Sequence, residues 1–311
     1  RCFMAGDALK GKQLFEQDED AKMVSRLAEE VAEAGSGGGI ARLGQRSELS
    51  RYAAGEIRDV EEIPDDVYRE ALINLLLQEA DSELAGAHGY VPCITMAPSI
   101  EEYLAVAMMV KDEFRHARVC YKLLEHLGVD VDERVQSFDF TLRVSDDDLG
   151  TARAAGDKRV NIFYYPIRDW YDFIAFNFCM DRGAGHQLED VLMSSYRPWA
   201  RVMEGIFKEE MFHIAHGDNW VKRLAADPDS KPKMQAAIDK WFPRTMNIFG
   251  RANAPKNRLY REIGLKVRDN QDVREAFAAE VGNRLHEFGL AMPEWVPDWG
   301  KIPEEAVFAA G

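Results

Sequence analysis

The chain has 311 residues, of which 46% are hydrophobic and 30% are charged, as in an ordinary globular protein. Its formal net charge is -15, which argues against general binding to nucleic acid or to anionic membranes. The longest apolar runs fall well short of the roughly 20 residues that a membrane-spanning helix needs. The four cysteines (Cys2, Cys93, Cys120 and Cys179) have no paired spacing. They predict a reducing, cytoplasmic setting, with Cys120 and Cys179 as buried apolar residues.

Three segments are predicted along the chain. Residues 1–60 form an N-terminal peripheral segment, with the pattern of an amphipathic helix over 1–34 and a glycine-rich break at 35–39. Residues 61–290 form an all-α domain, in which apolar side chains recur at helical spacing. Residues 291–311 form an extended C-terminal tail that is rich in proline and tryptophan.

The central domain is predicted to be a four-helix bundle. The first helix follows Pro64 and ends near Gly86, and a breaker-rich loop over 89–98 separates it from the second. Ser99 and Glu102 have the pattern of a capping box, and Gly128 is a typical C-terminal stop, so the second helix ends at 127. The third helix begins near 167 and the fourth near 195, with further packing helices over 231–289. Residues 129–163 are a long insertion between the second and third helices, with a hairpin or a lid as its expected form.

Two Glu-x-x-His pairs are the most informative feature of the sequence. Glu113 and His116 lie on the second helix, and Glu210 and His213 lie on the fourth. A spacing of three places both side chains of a pair on one helix face. In both helices that face is otherwise apolar, and a buried carboxylate there is costly unless it is paired or bound to a metal.

Each pair is preceded by one acid that lies in the apolar stripe of the preceding helix. Glu83 comes 30 residues before Glu113, and Asp181 comes 29 before Glu210, as expected for two antiparallel helices joined by a short turn. Two Glu-x-x-His pairs with one carboxylate from each of two other helices form the dinuclear metal site of a four-helix bundle. The predicted ligands are therefore Glu83, Glu113, His116, Asp181, Glu210 and His213. Mixed oxygen and imidazole ligands suit two iron ions, and to a lesser degree manganese or zinc.

Neighbouring acids and histidines have competing interpretations. A single Glu-x-x-His in so acidic a chain is usually an exposed helix pair, and Glu79 is a weak rival of Glu83. His216 is predicted to be a packed or surface residue. Asp112 and Glu209 are either exposed charges or acceptors that hold the histidine of the opposite helix, and Arg115 could pair with one of them.

Residues 64–290 resemble the phenylacetate-catabolism family of diiron proteins. The motifs that carry the resemblance are Ser82-Glu83, Asp112-Glu113-x-x-His116, Ile162-Phe163-Tyr164-Tyr165-Pro166, Asp181-x-Gly183-Ala184, Ser195-Tyr196 and Lys208-Glu209-Glu210-x-Phe212-His213. The resemblance implies a ferritin-like fold and a bridged diiron centre. It also implies epoxidation of a CoA-activated aromatic acyl group, with dioxygen as co-substrate and electrons from a separate reductase.

The resemblance further implies a homologous non-catalytic partner protein, for which a homo-oligomer is the alternative. Small residues after Asp181 (Gly183, Ala184 and Gly185) are expected to leave room for a substrate. A basic set, comprising Lys256, Arg258, Arg261, Lys266 and Arg268, is either a site for the CoA phosphates or a solvated face. Other functions stay open: a ferritin-like diiron oxidase, desaturase or N-oxygenase that acts on a non-CoA substrate, or a non-enzymatic iron-binding protein.

Overall fold

The structure, a computed structural model, describes residues 49–145, 149 and 153–297. The predicted helix over 1–34, the break at 35–39, Cys2 and the end of the tail beyond 297 lie outside the described residues. The described residues form helices and no β-strand, apart from one isolated bridge between Ile57 and Tyr196. The predicted all-α class is confirmed.

The α-helices are labelled in chain order: α1 (Asp66–Tyr90), α2 (Ile100–His126), α3 (Val131–Ser137), α4 (Trp170–Phe176), α5 (Arg182–Val191), α6 (Arg197–Ala226), α7 (Lys231–Met246), α8 (Pro255–Glu262) and α9 (Asn270–Glu287). A π-helical segment, Asn177–Asp181, joins α4 to α5 without a break. These three pieces together are the third helix of a four-helix bundle, and α1, α2 and α6 are the other three. Helices α7 and α9 pack against the bundle, as the sequence predicts.

Local chemistry explains where the first two bundle helices begin and end. Asp65 and Ser99 are the N-caps of α1 and α2, and each accepts a hydrogen bond from a backbone N–H three residues later. Gly128, which follows the C-cap residue Leu127 of α2, has φ of 86°, which favours glycine at a helix stop. Helix α1 continues four residues past the predicted end at Gly86, and the predicted loop over 89–98 contains a 3-10 helix, Val91–Met96.

The insertion between α2 and α4 is tied to the bundle by buried polar contacts. Asp81 on α1 accepts hydrogen bonds from Tyr121 on α2, from Arg134 on α3 and from the backbone N–H of Lys158. A 3-10 helix, Asn161–Tyr164, precedes the third bundle helix. The described part of the insertion contains no strand, so the hairpin is not formed there. The third bundle helix begins at Trp170, three residues after the predicted start.

Two clusters of buried apolar side chains divide the bundle along its length. On α2, Val106 and Met109 belong to one cluster, and Cys120 and Leu124 to the other. On α6 the same division separates Ile206 from Trp220, and on the third helix it separates Met180 from Leu188. The polar side chains between these clusters therefore lie in one layer across all four helices.

Cys120 and Cys179 are fully buried and unpaired, as predicted, and Cys93 is buried as well. Within the described ranges, no helix has the length and apolar character that crossing a membrane requires.

Candidate metal centre

The six predicted ligands all lie in the polar layer between the two apolar clusters. Two groups of three offer ligand atoms within 4.8 Å of one another: Glu83, Glu113 and His116, and Glu113, Glu210 and His213. Glu113 belongs to both groups. Asp181 lies at the edge of the second group, with its Oδ2 4.0 Å from His213 Nδ1. Glu83 is 13% exposed through its side chain and the other five are buried.

Each imidazole Nδ1 atom faces two carboxylate oxygens, and at least one of the two comes from another helix. His116 Nδ1 lies 3.4 Å from Glu83 Oε2 and 3.3 Å from Glu210 Oε1. His213 Nδ1 lies 3.2 Å from Glu113 Oε1 and 3.5 Å from Glu210 Oε1. Glu210 Oε1 is therefore shared between the two imidazoles, whose ring centroids are 6.3 Å apart. Glu210 would therefore be placed to hold a metal ion beside either imidazole.

The donor set fits a pair of metal ions. Both Nδ1 atoms are buried and make no well-formed hydrogen bond within the described part of the chain. A buried polar atom without a hydrogen-bond partner is energetically costly. Two such Nδ1 atoms that face carboxylates are placed to donate their lone pairs to metal ions. The four ionised carboxylates also carry as much negative charge as two divalent cations carry positive charge, and the two imidazoles bind as neutral ligands. The residues therefore fit a dinuclear metal centre of the four-helix-bundle type.

Without metal, protons must balance the charge of these acids. Burial and the charges of Glu83 and Glu210 raise the pKa of Glu113 well above its usual range. Burial and the charge of Glu210 raise the pKa of Asp181 to about 7. Burial lowers the pKa of His116, but the facing carboxylates of Glu210 and Glu83 have the larger combined effect. They raise the pKa of His116 to about 10. The centre therefore holds protons at neutral pH, and a metal ion must displace them.

Both histidines face an acid on the opposite helix with their other ring nitrogen. His116 Nε2 lies 2.7 Å from Glu209 Oε2, a hydrogen bond across α2 and α6, and Arg115 pairs with the same carboxylate. His213 Nε2 lies 3.7 Å from Asp112 Oδ2, beyond a direct hydrogen bond. An acceptor at Nε2 fixes the tautomer that leaves Nδ1 free for a metal.

Asp181 ends the π-helical segment, which the sequence does not predict. Its carboxylate accepts a hydrogen bond from Tyr90 Oη at 2.8 Å and another from Asn177 Nδ2. Asn177 Oδ1 in turn lies 2.9 Å from His216 Nδ1, and His216 Nε2 lies 2.8 Å from Glu102 Oε2. His216 is thus a packed residue, as predicted, and it supports Asp181 through Asn177.

A cavity of about 110 Å³ lies beside the six residues. Four of the six line it, namely Glu83, Glu113, Asp181 and Glu210, and the rest of its wall is largely apolar and aromatic. Glu79 also lines it, and its Oε2 accepts a hydrogen bond from Trp199 Nε1 at 2.8 Å. Burial and the charge of Glu83 raise the pKa of Glu79 to about 8. Since Glu83, and not Glu79, belongs to the groups that could hold a metal, the rival assignment is disfavoured.

A second cavity of about 160 Å³ adjoins the first and has a different character. The two linings share a short wall, which consists of Leu75, Gln78, Val160, Gln187, Ile248 and Lys266. Five basic residues line the second cavity: Arg153, Arg159, Arg251, Lys256 and Lys266. An apolar cavity at the acids thus adjoins a cationic one.

The predicted basic set is divided by the structure. Lys256 and Lys266 line the second cavity. Arg258 pairs with Glu262, Arg261 with Asp269 and Arg268 with Asp190, so these three form salt bridges within the protein.

The sequence matches the protein family described as "Phenylacetic acid catabolic protein" over residues 55–302. The chain belongs to this family. The A subunit of 1,2-phenylacetyl-CoA epoxidase from Escherichia coli (strain K12) is 27% identical over 234 residues, which cover 74% of this chain and 71% of that protein. Benzoyl-CoA oxygenase component B from Aromatoleum evansii is 23% identical over 233 residues, which cover 68% of this chain and 47% of that protein.

This match confirms the family resemblance and the ferritin-like bundle, and the matched region includes the six predicted ligands and both cavities. The glycines after Asp181 have another role than the one expected. A Cβ at Gly183 would lie 2.8 Å from Ile248 Cδ1, and one at Gly185 would lie 3.2 Å from Ile214 Cδ1. They allow close helix packing, and only Ala184 of the three lines the cavity. Gly86 on α1 lines the cavity, and a Cβ added at this position would lie 3.1 Å from Phe163. The absence of a side chain at Gly86 therefore leaves space in the cavity.

Several site residues of this family member escape prediction from the sequence. Tyr90 lies seven residues after Glu83, so two helical turns place it on the same face, and this spacing is the available signal. Asn177 lies four residues before Asp181 and is a polar residue in an apolar run. Nothing in the sequence marks the π-helical segment that brings it to the carboxylate.

Proposed function

We propose that this chain is the oxygen-activating component of a diiron oxygenase that inserts oxygen into a CoA-activated aromatic acyl group. The observation that carries the proposal is an apolar cavity beside the candidate metal ligands that shares a wall with a cationic cavity. The four carboxylates line the apolar cavity, the two imidazoles lie behind them, and the cationic cavity adjoins it. The two relatives, named as an epoxidase and an oxygenase of CoA thioesters, supply the chemistry.

Two iron ions are proposed to be held by Glu83, Glu113, His116, Asp181, Glu210 and His213. Bound there, ferrous iron supplies the electrons for reducing dioxygen. The protein holds the ligands before the metal arrives, because Glu209 orients His116, and Tyr90 and Asn177 orient Asp181. The largely apolar wall excludes bulk water from the ring that is to react.

The CoA part of the substrate is proposed to lie in the second cavity. Arginine and lysine side chains bind phosphate oxygens through charge-assisted hydrogen bonds. Five of them line this cavity, of which Arg159 also pairs with Asp157. The acyl group would then enter the first cavity, where Phe163, Phe176 and Trp199 offer aromatic surface. The order of the two cavities thus matches the order of groups in an aryl-CoA thioester.

Partner proteins belong to the same proposal. The four cysteines are too few and too scattered for an iron–sulfur module, and no flavin motif is present in the sequence, so electrons must come from a separate reductase. One relative is a subunit of an epoxidase and the other a component of an oxygenase, which supports a multi-component enzyme with a homologous protein or a second copy as the partner. We place the diiron domain at residues 61–290 and the protein in the cytoplasm.

The test is a single-turnover experiment with labelled oxygen. The full chain is loaded anaerobically with ferrous iron, mixed with phenylacetyl-CoA or benzoyl-CoA, reduced, and exposed to ¹⁸O₂. We expect two irons per chain and one labelled oxygen atom in the acyl group. Loss of dioxygen with iron oxidation alone, across a range of acyl-CoAs, would favour an oxidase or iron-binding protein. Labelling of a free acid or amine, but of no thioester, would favour a non-CoA substrate.

A further inference from the structure

A continuous row of aromatic rings begins at the candidate metal centre and crosses the bundle. Tyr90, the last residue of α1, donates its phenol hydrogen to the Asp181 carboxylate at 2.8 Å. Its ring centroid lies 5.2 Å from that of Phe173, and the Phe173 ring lies 5.2 Å from that of Trp170. The rings of Trp170 and Trp220 are again 5.2 Å apart. The row therefore runs from a predicted ligand through α4 to α6.

The outer end of this row reaches the surface, whereas the inner end is buried. Tyr90 and Phe173 are fully buried, Trp170 is partly exposed, and Trp220 is 8% exposed. The exposed Arg223 lies over the ring of Trp220, with its guanidinium carbon 4.6 Å from the ring centroid. Neither tryptophan belongs to the lining of the two cavities. The row thus leads away from the space that is offered to a substrate.

The order of ring types along the row suits the movement of single electrons. Phenol and indole rings lose an electron much more readily than a phenyl ring does. Tyr90 and Trp170 are separated by the one phenyl ring of Phe173, a gap short enough for an electron to tunnel across. The two indole rings are direct neighbours. The three oxidisable rings therefore form a chain of short steps.

A carboxylate at each end of the row accepts a hydrogen bond from the ring there. Asp181 accepts from Tyr90, and Glu102 on α2 accepts from the indole N–H of Trp220. Between them, Trp170 Nε1 is buried and has no hydrogen-bond partner among the described residues. An oxidised phenol or indole is stabilised when its proton passes to an acceptor. A missing electron should therefore rest on Tyr90 or on Trp220, and pass quickly through Trp170.

We propose that Tyr90, Trp170 and Trp220 conduct oxidising equivalents away from the metal centre when dioxygen has reacted and no substrate is bound. This inference rests on the proposed function. One electron passes from Tyr90 to the oxidised centre, and the phenol proton moves to Asp181. An electron from Trp170 restores Tyr90, which recovers its proton. An electron from Trp220 then restores Trp170, and the indole proton of Trp220 moves to Glu102. A thiolate in solution supplies one electron to Trp220, the proton returns from Glu102, and a thiyl radical leaves.

Packing alone is the competing explanation, because edge-to-face aromatic pairs at these separations are common in protein cores. Trp241 on α7 offers a matched comparison. Its ring lies 5.1 Å from that of Phe176, which lies 5.6 Å from that of Tyr90, so one phenyl ring again separates the indole from the phenol. Trp241 is fully buried, however, and does not reach solvent. Trp241→Phe should cost packing as Trp170→Phe does, but it should leave the row intact.

The test observes the radicals directly. The full chain is loaded anaerobically with ferrous iron, exposed to dioxygen without substrate, and frozen at intervals for electron paramagnetic resonance. In the unaltered chain we expect a tyrosyl signal followed by a tryptophan radical signal. Trp170→Phe should lose the tryptophan signal and keep the tyrosyl signal for longer. Trp241→Phe should behave like the unaltered chain, and Tyr90→Phe should show neither signal.

Mass spectrometry of the same samples gives a readout that does not depend on radical lifetime. Added oxygen should be found on Trp220 in the unaltered chain, and on Met180, which lines the first cavity, in Trp170→Phe. Trp220→Phe tests the row from its outer end if Trp170→Phe folds poorly, and it should lose the long-lived tryptophan signal.

Three results would count against the inference. If dioxygen is consumed and no radical forms, the rings only pack and the inference is wrong. It is also wrong if Trp170→Phe and Trp241→Phe behave alike, or if only Trp241→Phe loses the tryptophan signal. If the iron-loaded chain consumes no dioxygen, the proposed function itself fails and the inference falls with it.

Discussion

His116 donates its Nε2 hydrogen to Glu209 at 2.7 Å, across the contact between α2 and α6, whereas His213 and Asp112 are 3.7 Å apart. The two halves of the bundle carry the same Glu-x-x-His pattern, with an acid before each glutamate. They nevertheless hold their histidines differently. Glu209 is further engaged by Arg115, which fixes the carboxylate in turn. The two metal positions should therefore differ in affinity.

The first prediction concerns this asymmetry. Glu209→Gln removes the charge that holds His116 and should weaken metal binding by about tenfold or more, as for other acceptors behind a ligating histidine. Asp112→Asn, its counterpart in the other half, should have a smaller effect because no direct hydrogen bond is lost. Anaerobic titration of ferrous iron against a competing chelator measures both constants. An equal or larger loss in Asp112→Asn would contradict the asymmetry.

Much of the site can be predicted because its signals are local. The spacing of three between Glu113 and His116, and the apolar residues on either side of them, depend only on one helix. The acids Glu83 and Asp181 follow from a comparison of the two halves. What escapes prediction depends on contacts between distant segments. Tyr90 and Asn177 contact Asp181 in the fold because of the π-helical segment in the third helix. A sequence pattern with a period of 3.6 residues does not indicate such a segment.

The second prediction concerns the close contact between α6 and the π-helical segment. A Cβ at Gly217 would lie 2.8 Å from the backbone nitrogen of Phe178. Gly217→Ala should therefore displace the segment that carries Asp181 and destabilise the fold by about 1–3 kcal/mol. Gly205 lies on the same helix with open space around its Cβ position, so Gly205→Ala should stabilise by about 0.4–1 kcal/mol. Chemical denaturation of the two variants, with iron content measured on each, separates strain from helix propensity.

The third prediction concerns pH. In the metal-free protein the pKa of His116 is raised to about 10, so its contribution to stability is complete below about pH 6.5 and is lost as the pH rises through about 10. The pKa of Asp181 is raised to about 7, so the stability that this carboxyl contributes is also lost as the pH rises from about 4 to about 7. The melting temperature of the metal-free protein should fall between about pH 6.5 and pH 9.5.

Metal binding should have the opposite dependence on pH. A metal ion needs the neutral imidazole, so each histidine must release its proton on binding, and affinity should rise with pH. Calorimetry in two buffers of different ionisation enthalpy measures the protons released. Release of no protons at pH 7 would show that the histidines are neutral in the metal-free protein.

The last prediction tests whether Glu210 is a ligand or a structural ion-pair residue. Its Oε1 lies between the two imidazoles, and their charges hold its pKa at about 2 despite burial, so it is ionised in the metal-free protein. Glu210→Gln keeps the size of the side chain but leaves three carboxylates for two divalent ions. If Glu210 is a ligand, iron content and dioxygen consumption should fall together. Stability of the metal-free protein should fall by less than the full loss of a buried ion pair, because the histidines can release the protons that Glu210 had favoured.

A structural ion pair would give a different result. Removing one member of a buried pair leaves the other charge without a partner and costs about 3–5 kcal/mol. Iron binding would then suffer only through unfolding. Iron stoichiometry and melting temperature, measured on the same preparation, distinguish the two roles. Glu125→Gln, on an exposed pair with Lys122, is the matched control for loss of one carboxylate and should change neither quantity. Full iron loading in a destabilised Glu210→Gln protein would exclude Glu210 from the centre.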